Sequence, residues 1–169
     1  MTKLEPSGRP APQAATETAD IDAIDRRILI ELQADGRMTN VELARRAGIS
    51  APPCLRRLRR LEESGIIRGY HADTEPQKLG FSIIFFVIVG LESQKEAALK
   101  AFEEMIATWP EVRECHMIRG GGDFLLRMVA HDTAEENALT RRLTEAAGVA
   151  RLQTLQTIRT SIALAGVPL

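Results

Sequence analysis

Residues 39–63 read TNVELARRAGISAPPCLRRLRRLEE, and this stretch decides the first half of the fold. Thr39 or Asn40 stands where a helix N-cap belongs. Val41, Leu43, Ala44 and Ala47 then recur at helical spacing, and Gly48 ends the run at a position suited to a left-handed residue. Ser50 reads as the cap of a following helix. Pro52 and Pro53 fall in its first turn, where a missing N–H costs little. Helix, glycine turn, helix is the sequence form of a helix-turn-helix. At 100° per residue, Cys54, Leu58 and Leu61 of the second helix share one narrow arc. Arg56 and Arg60 point almost opposite, with Pro53 between them, Arg59 nearby and Arg57 on the flank.

Upstream, Asp22 reads as the cap of a helix carrying Ile21, Ile24, Ile28, Leu29 and Leu32 at helical spacing, stopped by Gly36. Residues 1–19 are rich in Pro, Ala and Thr and lack an apolar period, so they read as a disordered tail. Downstream, Ile66 to Ala72 reads as a small wing or exit strand. The domain boundaries that follow are 1–19 for the tail, 20–72 for a three-helix domain, 73–80 for a linker and 81–169 for a second domain.

Charge supports a nucleic-acid module. The formal net charge is only -1. Yet Arg37 to Arg68 holds eight Arg against three acidic residues, while the chain from Asp73 onward holds ten basic and thirteen acidic ones. A basic segment joined to an acidic one is the pattern of a DNA-binding module attached to something else. In a helix-turn-helix the second helix of the pair enters the major groove. Arg56 is therefore the first candidate for groove contact and Arg60 the next, with Arg57, Arg59 and Pro53 on the same helix. Arg45, Arg46 and Ser50 are candidates for phosphate contact.

After the linker the periodicity changes. Phe81 to Leu91 reads as a strand. Ser93 and Glu96 have capping-box spacing before an amphipathic helix that includes Phe102 and Trp109 and closes at Pro110. Val112 to Ile118 and Asp123 to Ala130 read as strands around the turn at Arg119–Gly122. Thr133 and Glu136 give a second capping-box spacing, before a helix that ends at Gly148. Val149 to Ile158 is the last strand. The fold class is thus α+β: a three-helix (winged) helix-turn-helix domain, then a ferredoxin-like β-α-β-β-α-β domain.

In the first strand Phe81, Ile83, Phe85, Val87 and Val89 share one face, and Ile84, Phe86 and Ile88 the other. Two helices cover only one face of a four-stranded sheet, and a half-exposed antiparallel sheet normally alternates apolar with polar. The apolar second face therefore calls for a cover, of which a second copy in an isologous dimer is the simplest.

Cys54 and Cys115 have no zinc-type spacing and read as two buried, reduced thiols. His71, His116 and His131 lack partner motifs. No nucleophile triad, phosphate loop or paired-carboxylate site stands out, so neither enzyme activity nor a metal or cofactor is expected. The first twenty residues lack the apolar core of a secretory signal, and the run Ile83 to Val89 is too short for a bilayer. The expectation is a cytoplasmic, nucleoid-associated protein without a membrane partner.

The stretches IDAIDRRILIELQADGRMTNVELARRAGIS at 21–50, PPCLRRLRRLEESGIIRGY at 52–70 and ECHMIRGGGDFLL at 114–126 together resemble the leucine-responsive and asparagine-responsive regulator (Lrp/AsnC) family. The resemblance spans about Ile21 to Ile158. It implies a transcription regulator that binds double-stranded DNA, forms dimers often gathered into rings such as octamers, and binds amino-acid effectors between regulatory domains of neighbouring dimers. It also implies that the loop before the third strand, Gly120, Gly121, Gly122, Asp123 and Phe124, contributes to that pocket. Read alone, this loop is better explained as a flexible hairpin turn with Asp123 as a turn residue. As a pocket, its glycine N–H groups would meet a ligand carboxylate and Asp123 an ammonium group, with Thr154 and Gln156 of the last strand as wall candidates. Three glycines in a row depart from the family's more usual spacing and leave the effector's identity open. The alternatives are a DNA-organising protein that needs no ligand, and an enzyme or an enzyme's regulatory subunit built on the second domain.

Overall fold

A computed structural model describes residues 20–169; the expected tail, 1–19, lies outside them. The described residues form two compact units. One comprises residues 20–73 with Ser161–Leu169, the other Thr74–Thr160. The last nine residues thus group with the helical unit rather than with the second domain, and Val167 donates its N–H to Gln33 Oε1 at 2.9 Å.

The helical unit contains α1 (Ala23–Ala34), α2 (Asn40–Ala47) and α3 (Ala51–Glu63). Asp22 caps α1 as expected, and the helix ends at Ala34 with Asp35 as C-cap, ahead of Gly36. Ile28, Leu29, Leu43, Ala44, Cys54 and Leu61 form its core, with Ile66 and Ile67 packed against them. The segment Ile66 to Ala72 forms no strand, contrary to the wing expectation. Ile67 instead donates its N–H to Leu61 O at 3.0 Å and so closes α3 from below.

The second unit opens with a 3₁₀ turn at Gln77–Leu79. β1 (Ile83–Leu91), α4 (Glu96–Ile106), β2 (Val112–Met117), β3 (Phe124–Ala130), α5 (Thr133–Thr144) and β4 (Val149–Gln156) follow. The four strands pair antiparallel in the order β2-β3-β1-β4, which is the ferredoxin-like arrangement. Phe85, Val87, Val89, Phe124, Leu126 and Met128 face Phe102, Ile106, Leu139 and Leu143 of the two helices in one dry core. Trp109 is buried although α4 ends three residues before it, and Arg142 of α5 lies 3.6 Å over its ring.

Neither expected capping box forms. α4 starts after Lys95, and the Ser93 hydroxyl accepts from the Lys95 N–H instead. α5 is capped by Asp132, which accepts from the Glu135 N–H at 2.9 Å, so Thr133 lies inside the helix. Both cysteines are free, but only Cys54 is buried; Cys115, on the edge strand β2, is exposed. That corrects the expectation of two buried thiols, because an edge strand has a neighbour on one side only.

On the sheet face opposite the helices, Ile84, Phe86 and Ile88 are half-exposed. Phe86 pairs with Leu155 and Arg127, and Ile88 with Leu125. A charged patch borders them: Glu114 accepts from Arg127 Nε at 2.6 Å and lies 3.1 Å from His116 Nε2.

Candidate nucleic-acid interface and ligand cleft

The turn between α2 and α3 is built by short-range chemistry. The Thr39 hydroxyl accepts from the Glu42 N–H and starts α2. Gly48 sits at φ 76°, a left-handed conformation that costs a glycine little. The Asn40 side chain donates to Ala51 O at 3.0 Å, tying the start of α2 to the start of α3. Ser50 occupies the N-cap of α3, yet its hydroxyl makes no capping bond. Pro52 and Pro53 explain this. A cap hydroxyl accepts from the N–H of the second or third helical residue, and both of those are prolines. Ser50 thus holds the N-cap position expected from sequence but without the side-chain bond.

α3 buries Cys54 and Leu61. Arg56 and Arg59 are exposed and have no ion-pair partner among the described residues. Leu55, 37% exposed, lies on the same side as Arg59. Pro53 is half-buried.

Arg57 and Arg60 turn back onto α1. Arg57 Nη1 donates to Asp22 Oδ2 at 2.6 Å and to Asp25 Oδ1 at 2.9 Å, and Arg60 Nη2 donates to Asp25 Oδ2. Asp25 is wholly buried. Asp22 and Asp25 also form a reciprocal capping box at the start of α1. The Asp25 N–H and then Arg57 hold the Asp22 carboxyl below its usual range, and the two carboxylates raise Arg57. Asp25 is a residue that sequence reading missed. Its signal was a lone carboxylate within the apolar stripe Ile21, Ile24, Ile28, Leu29.

Arg45 and Arg46 of α2 both bind Glu42, at 2.7 Å and 2.8 Å, and Arg46 reaches Glu31 at 3.1 Å. Hydrogen bonds from Arg45 and then Arg46 bring Glu42 down to about 2.

In the second unit, the loop after β2 shapes an open cleft of about 370 Å³, lined by Gln94, Leu99, Met117, Ile118, Arg119, Gly120, Gly122 and Asp123. Asp123 anchors it: Oδ2 accepts from the Leu91 N–H at 2.7 Å and Oδ1 from Gln94 Nε2 at 2.9 Å. Gly120 has φ 132°. A Cβ on Gly122 would lie 2.6 Å from Ile88 Cγ2 and 2.8 Å from Val89 O, so the backbone packs too closely there for any side chain. The Gly121 carbonyl accepts from Arg151 at 2.9 Å.

Phe124 is not in the cleft lining. It is fully buried, with its ring centroid 4.8 Å from that of Phe102. Thr154 and Gln156 are exposed, paired with Val87 and Phe85 on the edge strand, and also outside the lining. Arg119, absent from the sequence reading of the site, is exposed in the lining and has no ion-pair partner among the described residues. Among those residues no cluster of metal-ligating side chains occurs, and no helix is long and apolar enough to cross a membrane.

Residues 21–68 match the winged helix-turn-helix DNA-binding family, and residues 84–164 match the Lrp/AsnC ligand binding domain. The chain is 52% identical over 141 residues to the leucine-responsive regulatory protein of Rhizobium meliloti (strain 1021), covering 83% of this chain and 90% of that one. The chain belongs to the Lrp/AsnC family. It is an Lrp/AsnC-type transcription regulator, with a DNA-binding helix-turn-helix followed by a ligand-binding domain. It is also 46% identical over 115 residues to the proline dehydrogenase transcriptional activator of Rhodobacter capsulatus, covering 68% of this chain and 75% of that one. Among solved structures, a transcriptional regulator of Neisseria meningitidis in complex with L-methionine superposes with a TM-score of 0.84 at 32% identity, covering 88% of this chain and 97% of that one. The cleft described above falls within the Lrp/AsnC ligand-binding domain, and α3 within the helix-turn-helix match.

Proposed function

We propose that this Lrp/AsnC regulator reads double-stranded DNA with Arg56 and Arg59 of α3, and that an amino acid bound in the cleft alters that binding. The observation that carries the reading is the outward face of α3, where Arg56 and Arg59 are exposed without an ion-pair partner among the described residues and the Ser50 hydroxyl at the start of the helix makes no capping bond. Arg forks onto guanine O6 and N7 in the major groove. Ser50 and Pro53 meet the backbone at the start of the helix. Arg45 and Arg46 lie nearer the phosphates, their charge partly neutralised by Glu42.

The cleft suits a free amino acid. Arg119 offers a cation to the carboxylate, and Asp123 keeps lone pairs for an ammonium group. Leu99 and Met117 offer apolar wall to a side chain. The R. meliloti relative is named for leucine, and the N. meningitidis structure holds L-methionine. Both support an amino-acid effector here.

The uncovered face around Phe86 is the dimer surface in this reading. Two α3 helices related by its two-fold axis meet DNA about 34 Å apart, or at a multiple of that, which favours a palindromic site. Octamers or similar rings follow from further contacts between such dimers. The protein acts on the chromosome in the cytoplasm, without a catalytic step or a cofactor. The domain limits are 20–72 and 81–160, with 73–80 as linker.

The test is fluorescence anisotropy of the full chain on a duplex selected by the protein from a random pool, with each amino acid added in turn. The proposal expects at least one to change the DNA affinity in the wild-type chain and to lose that effect in Arg119→Ala. DNA binding indifferent to every amino acid would favour the ligand-independent, DNA-organising alternative.

A further inference from the structure

Asp25 is the only charged residue buried among the described residues. Taking a carboxylate out of water is costly unless it is paired and hydrogen-bonded. Even a well-paired buried ion adds little net stability over an apolar replacement.

Both Asp25 oxygens are committed to α3. Oδ1 accepts from Arg57 and Oδ2 from Arg60, while Oδ2 also accepts from the Asp22 N–H at 3.2 Å. Arg57 and Arg60 are three residues apart, on one side of α3. Two bonds at that spacing fix the helix against rotation about its axis: a one-residue slip turns it by about 100° and breaks both. The direction in which Arg56 and Arg59 point follows from that fixed rotation. The charges close as well. Two arginines meet Asp22 and Asp25, both near the N-terminus of α1, where the helix dipole also favours carboxylates. Of the four arginines of α3, two are thus neutralised within the protein.

We propose that Asp25 is a positioning and specificity-determining residue: it latches α3 to α1 through Arg57 and Arg60, withholds both from the phosphates, and leaves Arg56 and Arg59 to read the DNA. The proposal rests on α3 being the DNA-contacting helix.

The experiment measures the dependence of DNA affinity on salt for the full chain, on the selected duplex and on a mixed-sequence duplex of equal length. Each phosphate contact contributes about 0.9 to the log–log slope. Asp25→Asn removes the charge and keeps the shape. The expected result is a slope steeper by about 0.9 to 1.8 as one or two arginines are released, and a lower ratio of specific to non-specific affinity. Arg60→Gln alone leaves the slope unchanged, and in the Asp25→Asn background it takes about 0.9 of the gain away again. A merely structural role for Asp25 predicts neither change.

Should Asp25→Asn fail to fold, Arg60→Gln in the wild-type background decides. Held by Asp25, Arg60 has no phosphate contact to lose, so the slope stays unchanged; a slope flatter by about 0.9 means that Arg60 already meets a phosphate. A folded Asp25→Asn with the wild-type slope and ratio, or in its place a flattened slope in Arg60→Gln, overturns the latch. Arg56→Ala separates the two levels. With α3 on the DNA it weakens binding and flattens the slope, so either of those results then condemns the latch alone. No effect from Arg56→Ala overturns the reading of α3, and the latch with it.

Discussion

Alanine placed in turn at Gly120, Gly121 and Gly122 is destabilising at two positions, for two different reasons, and stabilising at the third. At Gly122 the new methyl would sit 2.6 Å from Ile88 Cγ2 and 2.8 Å from Val89 O. The side chain of Ile88 can turn aside, but the carbonyl belongs to the strand β1 and cannot. Overpacking of this kind costs about 1–3 kcal/mol. For a domain of roughly 60–100 residues, each kcal/mol moves Tm by about 4–8 °C, so Gly122→Ala lowers the transition of the ligand-binding unit by at least about 4 °C. At Gly120 there is open space but a φ of 132°; the cost is backbone strain, again about 1–3 kcal/mol. At Gly121 neither obstacle exists, since nothing lies within 4 Å of the added methyl and φ is not positive. That substitution removes freedom from the unfolded chain only and stabilises by about 0.4–1 kcal/mol. Differential scanning calorimetry of the three variants reads the signs directly. Equal responses, or Gly121→Ala as the most damaging of the three, would refute this description of the loop and of the cleft built on it.

Phe86→Glu places a charge at the centre of the uncovered sheet face. With about 1.5–3 kcal/mol lost per buried aromatic on each of two copies, dimerisation weakens about 100-fold or more, which light scattering coupled to gel filtration detects; an unchanged dimer would put the interface elsewhere. Glu42 titrates at about 2 rather than 4.5. A carboxylate depressed in the folded state adds stability above its ordinary range and loses it as pH falls from 4.5 toward about 2. Glu42→Gln therefore flattens the acid limb of the unfolding curve over that interval, as followed by circular dichroism, and an unaltered limb would contradict the Arg45–Glu42–Arg46 cluster.

Much of this was legible in the residues, for identifiable reasons. The buried side of α3 follows from the 3.6-residue period of Cys54, Leu58 and Leu61, and the turn from Gly48, which needs no long-range information. The unbroken apolar run of β1 announced that both its faces are apolar. Caps were read less well. Asp132 rather than Thr133 starts α5, and Lys95 rather than Ser93 precedes α4, because an N-cap is chosen by the backbone angle at the end of the loop and several polar residues compete for it. Ser50 was placed at the right position but lost its bond to two prolines. The pairing of Arg57 and Arg60 was out of reach of any local pattern. A helical wheel gives the direction of a side chain, whereas its partner, Asp25, lies 35 residues before Arg60. For the same reason the glycine loop was legible, while the approach of Arg119 and Gln94 to Gly120, Gly122 and Asp123, which only the fold brings about, was not.

The most direct measurement is the affinity of Arg56→Glu/Arg59→Glu for the selected duplex, with circular dichroism and gel filtration confirming an intact fold and assembly. At about 1–3 kcal/mol for each groove contact, and tenfold per 1.4 kcal/mol, the double variant binds at least about 30-fold more weakly than wild type before any repulsion from the new carboxylates is counted. Wild-type affinity in a folded double variant would mean that α3 does not face the DNA.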